Sequence, residues 1–378
     1  MFFIIFLFGF WALTGCDNRT VQPKPSGKTV KVGVIGPFSG PDKAWGENGL
    51  AGIKTALLFQ PLLDNGDRVE LVLEDDRNQP HLAKTALDRL VMDAKVAAVL
   101  AMSGSTSVLS LASKADSYKT PILALTSTHP DITEENSYIS QLLFDDEFQA
   151  SVAALFSRDE LFVERVGVVK DDQNPHSMYL AEEFAAKFVS VGGVATAVAL
   201  TEDTEEMAKR LQSLQLQGVE LLYIPLDAEH VLTIAKLLGT LAWKPVLMGG
   251  DGLQATIVLQ HKDSLHLVNG MLAIDPHSSL QPTAEYGEKI AKIFMQHSTT
   301  EGTVIAALGA EGTSILVAAM NLCQDSGDRA CINNELRSTV DFTGMFGKIS
   351  IKSDGKAERP VYLNKIEKRK LQLVVKVY

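Results

Sequence analysis

The sequence is poor in cysteine and aromatic residues, carries no excess of positive charge, and lacks the spacings that mark common enzyme sites. Three cysteines in 378 residues cannot staple a fold of this length. With 35 Lys+Arg against 46 Asp+Glu the net charge is −11. A chain of that sign repels phosphate, so nucleic acid is not an expected partner. Long low-complexity tracts are missing and 46% of residues are hydrophobic, which excludes global disorder. Only one long apolar run stands out, at the very start, so a polytopic membrane protein is excluded. The glycines of Gly33–Gly40 follow a strand-like run but do not have the GxGxxG spacing. Gly27-Lys28-Thr29 imitates the end of a P-loop, yet Gln22 stands where the first glycine is required. No GxSxG occurs, and His261 and His266 are five apart rather than the four of a helical zinc motif. Glu74-Asp75-Asp76 reads as a solvated or capping cluster at a strand end rather than a Mg²⁺ site. An enzyme, a cofactor and a metal ion are therefore not expected.

What is present begins with the compartment. Phe2 to Leu13 is apolar except for Gly9. Twelve residues make a helix of about 18 Å, short of a bilayer core of about 30 Å, so the run reads as the core of a signal peptide. It ends in Leu13-Thr14-Gly15-Cys16, which resembles the lipobox of bacterial lipoproteins. That resemblance implies cleavage after residue 15, acylation of Cys16, and a chain anchored by lipid to a membrane. Asp17 resembles the residue that retains such proteins at the inner membrane. Residues 16–29 are polar, with Pro23, Pro25 and Gly27, and read as a tether. In an oxidising exported compartment Cys323 and Cys331, eight apart, are expected to close a local disulfide. A metal site is the competing reading, and it lacks nearby ligands.

The body alternates strand and helix. Strand-like runs at Lys31–Ile35, Val69–Glu74, Val96–Leu100 and Pro121–Leu125 are separated by helical spacing at Lys43–Phe59, His81–Asp93 and Val108–Ser117. The pattern restarts near Leu142–Glu147, with strands at Arg165–Val169, Val194–Leu200, Val219–Pro225, Pro245–Met248 and Val268–Ile274. Helices are expected between them and at 282–297 and 304–322, and a β-rich tail follows from Gly347. Short apolar strands between amphipathic helices predict an α/β fold, with parallel sheets covered on both faces.

Several segments carry a family resemblance. KVGVIGPFSGPDKAWGENGLAGIKTAL at Lys31–Leu57 resembles the opening of the branched-chain amino acid binding proteins of ABC transporters, which are type I periplasmic binding proteins. EDDRNQP at Glu74–Pro80, SGSTS at Ser103–Ser107 and TPILALTSTHPDIT at Thr120–Thr133 are similar to later family segments in order. So are ERVGVVKDDQ at Glu164–Gln173 and PVLMGGDGL at Pro245–Leu253. The resemblance implies a periplasmic binding protein-like I fold, with two Rossmann-like lobes joined by three crossovers. Lobe 1 would comprise 30–146 plus 276–345, and lobe 2 would comprise 147–275 plus 346–378.

The binding site follows from the chemistry of an amino acid, which offers a carboxylate to donors and an ammonium to an acceptor. Open α/β sheets bind ligands at the carboxyl ends of their strands. Ser105 lies just beyond one strand, and Thr126-Ser127-Thr128 just beyond the next. From spacing alone these hydroxyls serve equally well as helix caps. The resemblance implies that Ser105 and Thr128 offer hydroxyls, and Thr126 a backbone group, to a ligand carboxylate. It implies Asp251 as the ammonium partner, or else a turn aspartate. Trp45 would lie against the ligand, or else be a packing residue. His176 stands where a tyrosine is common in the family, and Asp227 where an aromatic residue is. Gly309-Ala310-Glu311-Gly312 falls where the family often reads Tyr-Asp-Ala. These departures imply a pocket more polar than one built for leucine, isoleucine or valine.

The resemblance thus implies an extracytoplasmic solute-binding lipoprotein that captures an amino acid or similar small molecule and delivers it to an ABC permease in the inner membrane. A sensory receptor or a non-transport scaffold on the same fold is the alternative.

Overall fold

The computed structural model describes residues 23–134, 136–251, 253, 261–277, 285–298, 304–368 and 370–378. The expected signal peptide, Cys16 and the first half of the tether lie outside the described residues.

Five short strands form the first sheet: β1 (Thr29–Gly36), β2 (Arg68–Asp75), β3 (Ala98–Ala101), β4 (Ile122–Ala124) and β5 (Ile139–Gln141). Their order is β2-β1-β3-β4-β5 and every pairing is parallel. Ile35 pairs with Glu74 on one side and Ala101 on the other. This register brings the carboxyl ends of the strands level. Neighbouring residues on a strand face opposite ways, so each face needs its own cover. Val34 and Leu100 join one core with helices α1 (Lys43–Phe59) and α10 (Val304–Leu322). Ile35 and Val99 join another with α2 (Pro80–Asp88), α3 (Ser105–Leu109) and α4 (Ala112–Tyr118).

Helix α10 has a mean hydropathy of 1.5 over 18 residues and is long enough to cross a membrane, yet 83% of that stretch is buried in the protein. It is a core helix. Its contact with α1 is very close because both helices present glycine there. A Cβ on Gly52 would lie 1.8 Å from the Ala306 carbonyl oxygen, and one on Gly309 would lie 2.3 Å from that of Gly49.

The second sheet contains β6 (Arg165–Lys170), β7 (Val194–Ala199), β8 (Leu221–Tyr223), β9 (Val246–Gly249) and β10 (Leu272–Asp275) in parallel. Two antiparallel strands, β14 (Val361–Glu367) and β15 (Lys370–Val377), complete the order β15-β14-β10-β9-β8-β6-β7. Helices α5 (Asp146–Asp159) and α6 (Pro175–Ser190) cover one face, and α7 (Thr204–Leu216) and α8 (Ala228–Thr240) the other. All four begin on a capping side chain. Asp145, Asn174, Asp203 and Asp227 each accept a hydrogen bond from a first-turn backbone N–H.

Helices α9 (Glu285–His297) and α11 (Arg329–Leu336) flank α10 in sequence. A disulfide joins Cys323, just after α10, to Cys331 in α11, with the Cα atoms 5.9 Å apart. A small sheet of β11 (Phe342–Thr343), β12 (Lys348–Ile351) and β13 (Ala357–Glu358) follows. Ile349 and Ile351 of β12 belong to the first lobe's core. Strand β12 buries these alternate residues against the first sheet's helices, and the passage to β14 in the second sheet follows β13.

Arg359 marks that passage. Its Nη1 is 3.2 Å from Glu311 Oε2 and donates to the Leu142 carbonyl, while its Nη2 donates to that of Pro276. Leu142 and Pro276 lie where the chain crosses the other two times. One buried guanidinium thus reaches all three connections.

Candidate functional site

A cleft of about 300 Å³ lies where the strand ends of the two sheets face each other. The first lobe supplies Trp45, Asn78, Ser105, Thr106, Thr126 and Thr128, with the backbone at Gly104. The second lobe supplies Asn174, His176 and Asp251.

The first wall is built by the loops that leave β2, β3 and β4. Asp75, at the end of β2, accepts from the backbone N–H groups of Phe38, Ser39 and Arg77, which pins the loop after β1. The neighbouring Asp76 is buried, and burial pushes its pKa up; it accepts from Ser103 Oγ and the Asn78 N–H. Asn78 Oδ1 in turn accepts from the Gly104 N–H. The acidic cluster is thus a scaffold that holds two loops. Beyond β4, Thr126 and Ser127 donate to the Ser103 carbonyl, and the Thr128 N–H donates to Ser105 Oγ at 3.3 Å. Gln141 of β5 holds the same loop from behind, through the carbonyls of Ser127 and His129. Four hydroxyls, on Ser105, Thr106, Thr126 and Thr128, therefore line this wall.

The second wall is ionic. His176 Nδ1 is 3.0 Å from Asp146 Oδ2, and its Nε2 is 3.7 Å from Asp251 Oδ1. Gln149 donates from Nε2 to both Asp146 Oδ1 and Asp251 Oδ1, at 2.8 Å each. The Asp251 N–H donates back to Gln149 Oε1. Burial opposes a charge on His176. The field and hydrogen bond of Asp146, with the field of Asp251, outweigh it and push its pKa up to about 9. The ring is therefore an imidazolium at neutral pH. Burial pushes the Asp251 carboxyl up, the His176 cation pulls it back and Asp146 adds to the rise. His129, from the first lobe, is held down by burial and stays neutral.

The two walls touch. Thr128 Oγ1 is 3.5 Å from His176 Nδ1, the Asp146 N–H donates to the Thr128 carbonyl, and His129 packs on Tyr179 with ring centroids 4.8 Å apart. Asp146, His176 and Asp251 also bring ligand atoms within 4.8 Å of one another. A divalent ion there would have to displace a proton from the His176 ring, which already sits between the two carboxylates.

Of the residues singled out from sequence, Trp45, Ser105, Thr126, Thr128, His176 and Asp251 line the cleft. Asp227 does not. It caps α8, accepting from the His230 N–H, and its other oxygen pairs with the His230 ring. The turn from β8 into α8 needs a cap there, and the side chain is 64% exposed. Glu311 is likewise absent from the cleft lining, since it is buried against Arg359. Asp146 and Gln149, which orient His176 and Asp251, were not legible. They sit in the first turn of α5, where acidic and polar residues are ordinary.

A family model described as periplasmic binding protein matches residues 29–370. A Leu/Ile/Val-binding protein of Rhizobium johnstonii is 25% identical over 232 residues, covering 60% of this chain and 62% of that protein. The match thus spans less than two thirds of that relative. A solved leucine binding protein from Thermotoga maritima superposes with a TM-score of 0.83 at 26% identity, over 92% of this chain and 98% of that one. A solute binding protein from R. palustris, solved in complex with 4-hydroxybenzoate, superposes with a TM-score of 0.80 at 20% identity, over 93% and 97%; at that identity the likeness is one of fold.

Proposed function

The chain belongs to the periplasmic binding protein family, and on that premise we propose that it is an extracytoplasmic receptor that captures an amino acid or similar small carboxylate and delivers it to an ABC permease. The observation that carries this reading is the chemistry of the opposed walls. Hydroxyls on the first lobe face Asp251 on the second, across a space of about 300 Å³. A zwitterion spans such a cleft with its carboxylate toward Ser105, Thr126 and Thr128 and its ammonium toward Asp251. Each charge-assisted hydrogen bond is worth about 1.5–3 kcal/mol net. Several of them, less the cost of ordering, support micromolar binding of about −8 kcal/mol.

Closure is the mechanism. A ligand on the first wall alone gains half of its contacts. Only the closed arrangement adds those of His176 and Asp251, so the ligand shifts the population toward it. The lobes divide near residues 145, 276 and 359, where the guanidinium of Arg359 ties the three connections. We assign the signal peptide to residues 1–15, acylation to Cys16 and the tether to the residues up to 29. In this assignment the lipid holds the receptor at the inner membrane beside its permease, and Cys16→Ser releases it into the soluble fraction.

The test of the receptor is calorimetry of the refolded, ligand-stripped protein against amino acids and small carboxylates, with Asp251→Ala alongside. One-to-one binding that weakens at least about tenfold in the variant is expected. Equal affinity in the variant would remove Asp251 from the site, and binding of nothing by a folded protein would remove the receptor.

A further inference from the structure

We propose that the His176 ring, wedged between Asp146 and Asp251, stands where the side-chain cation of a basic amino acid would have to go, so that the cleft takes small amino acids with one ammonium and a neutral, polar side chain. This rests on the amino acid reading of the cleft and narrows it to a ligand class.

The second wall holds two carboxylates. Without a cation between them they would face a zwitterion's single ammonium with one negative charge left over, and a dibasic ligand would balance them better. His176 alters that balance. Asp146 is fully buried and its oxygens are taken, one by His176 and the other by Gln149. Asp251 keeps one oxygen that no hydrogen bond from the described residues reaches. With the ring protonated, the three groups carry a net charge of −1, which one ammonium neutralises. The groups around this wall do not upset that sum. Asp146 comes from α5, Asp251 from the loop after β9, and His129, held down by burial, from the first lobe; Asp275 of β10 and Tyr223 of β8, which feel the field of Asp251, are pushed well up by burial and keep their protons. Among the described residues, no lysine or arginine lines the cleft.

The remaining wall sets the side-chain character. Four hydroxyls and the amides of Asn78 and Asn174 line it, and among the described residues Trp45 is its one large apolar residue. An aliphatic side chain there would strip water from polar groups without replacing their hydrogen bonds, which is a net cost. A short hydroxyl or amide side chain replaces them.

The test is calorimetry at pH 7 with L-serine, L-threonine, L-glutamine, L-leucine, L-lysine and L-arginine on the stripped full chain. Wild type, His176→Gln and the double variant His176→Gln/Asp146→Asn are compared, with circular dichroism as the check on folding. Wild type is expected to bind a hydroxyl or amide amino acid at least tenfold more tightly than leucine, lysine or arginine. His176→Gln leaves two carboxylates and no cation, so its preference moves at least tenfold toward lysine or arginine. The double variant returns to one carboxylate and regains the neutral preference. Leucine or a basic amino acid bound best by wild type would overturn the inference and leave the receptor standing, as would a preference unchanged in His176→Gln. A folded wild type that binds none of the six removes both this inference and the amino acid reading.

Discussion

Arg359 and Glu311 form an ion pair 3.2 Å long that is almost wholly withdrawn from water, with 2% and none of their side-chain surfaces exposed. The pair lies where the chain passes between lobes, and Glu311 Oε1 also accepts from the Met345 N–H at 2.6 Å. The partners of both side chains come from distant parts of the chain. Breaking it from one side leaves a buried charge alone. Arg359→Met is therefore expected to cost about 3–5 kcal/mol, and Arg359→Met/Glu311→Leu to recover most of that. Urea unfolding of the two variants measures both. A single variant as stable as wild type would mean that water reaches Glu311 at the crossing.

The α1–α10 contact makes a second prediction. At Gly52 the facing atom is a backbone oxygen, which cannot swing away as a side chain would. Gly52→Val forces the helices apart and is expected to destabilise by about 2 kcal/mol or more. Gly239, whose added Cβ meets nothing within 4 Å, is the control. Gly239→Ala, in the exposed part of α8, is expected to stabilise by about 0.5–1 kcal/mol. Thermal melts of the two variants should move in opposite directions.

The pH dependence of stability has an identifiable acid component. His277 is buried against Phe346; burial, with the Arg359 guanidinium beside it, pushes its pKa down to about 3. In the unfolded chain the ring titrates near 6.5. Its folded value is the lower one, so its contribution is full above about pH 6.5 and is lost as pH falls toward 3. One proton changes stability by up to about 1.4 kcal/mol per pH unit across that window. His277→Phe keeps the ring packing and removes the proton. Urea unfolding at pH 7, 5 and 4 should show a shallower acid loss in the variant, and parallel slopes would rule His277 out as the source.

The Cys323–Cys331 disulfide closes a short loop between two helices. The chain-entropy relation gives about 2–3 kcal/mol for a loop of this length. Reduction, or Cys323→Ser/Cys331→Ser, is expected to lower stability by that amount and leave ligand affinity within about twofold, because neither cysteine lines the cleft. Melting with and without reductant, and calorimetry on the variant, check the two halves.

Much of this architecture could be read from the sequence. Helices α1 and α10 fall at the expected Lys43–Phe59 and Val304–Leu322 because their apolar spacing is long and uninterrupted. Where the pattern was short or polar it failed. The helix expected over His81–Asp93 is α2 followed by a wider turn at Arg89–Asp93. Val108–Ser117 divides into α3 and α4, and α3 begins at Ser105. Strand β5 has three residues, Ile139-Ser140-Gln141, with no alternation to see, and α11 is a polar helix that a cysteine crosses. The cleft follows the same division. Ser105, Thr126, Thr128 and Asp251 follow strands and were legible as strand-end residues. Asp146 and Gln149 reach His176 and Asp251 only because α5 packs against α6, a tertiary fact with no local signature.

The threading of the chain has a consequence for its synthesis. Strand β1 and helix α1 need α10 to cover them, and α10 lies some 250 residues further along. Strand β10 needs β14 as its edge partner, from the last twenty residues. A nascent chain that has produced both parallel sheets has therefore finished neither half. Greasy surfaces on β1 and α1 stay uncovered until almost the whole polypeptide has emerged, and the last-made segments close both halves nearly together. Such long-range closure makes acquisition of the native state slow and leaves a long interval in which the incomplete chain depends on something else to shield it.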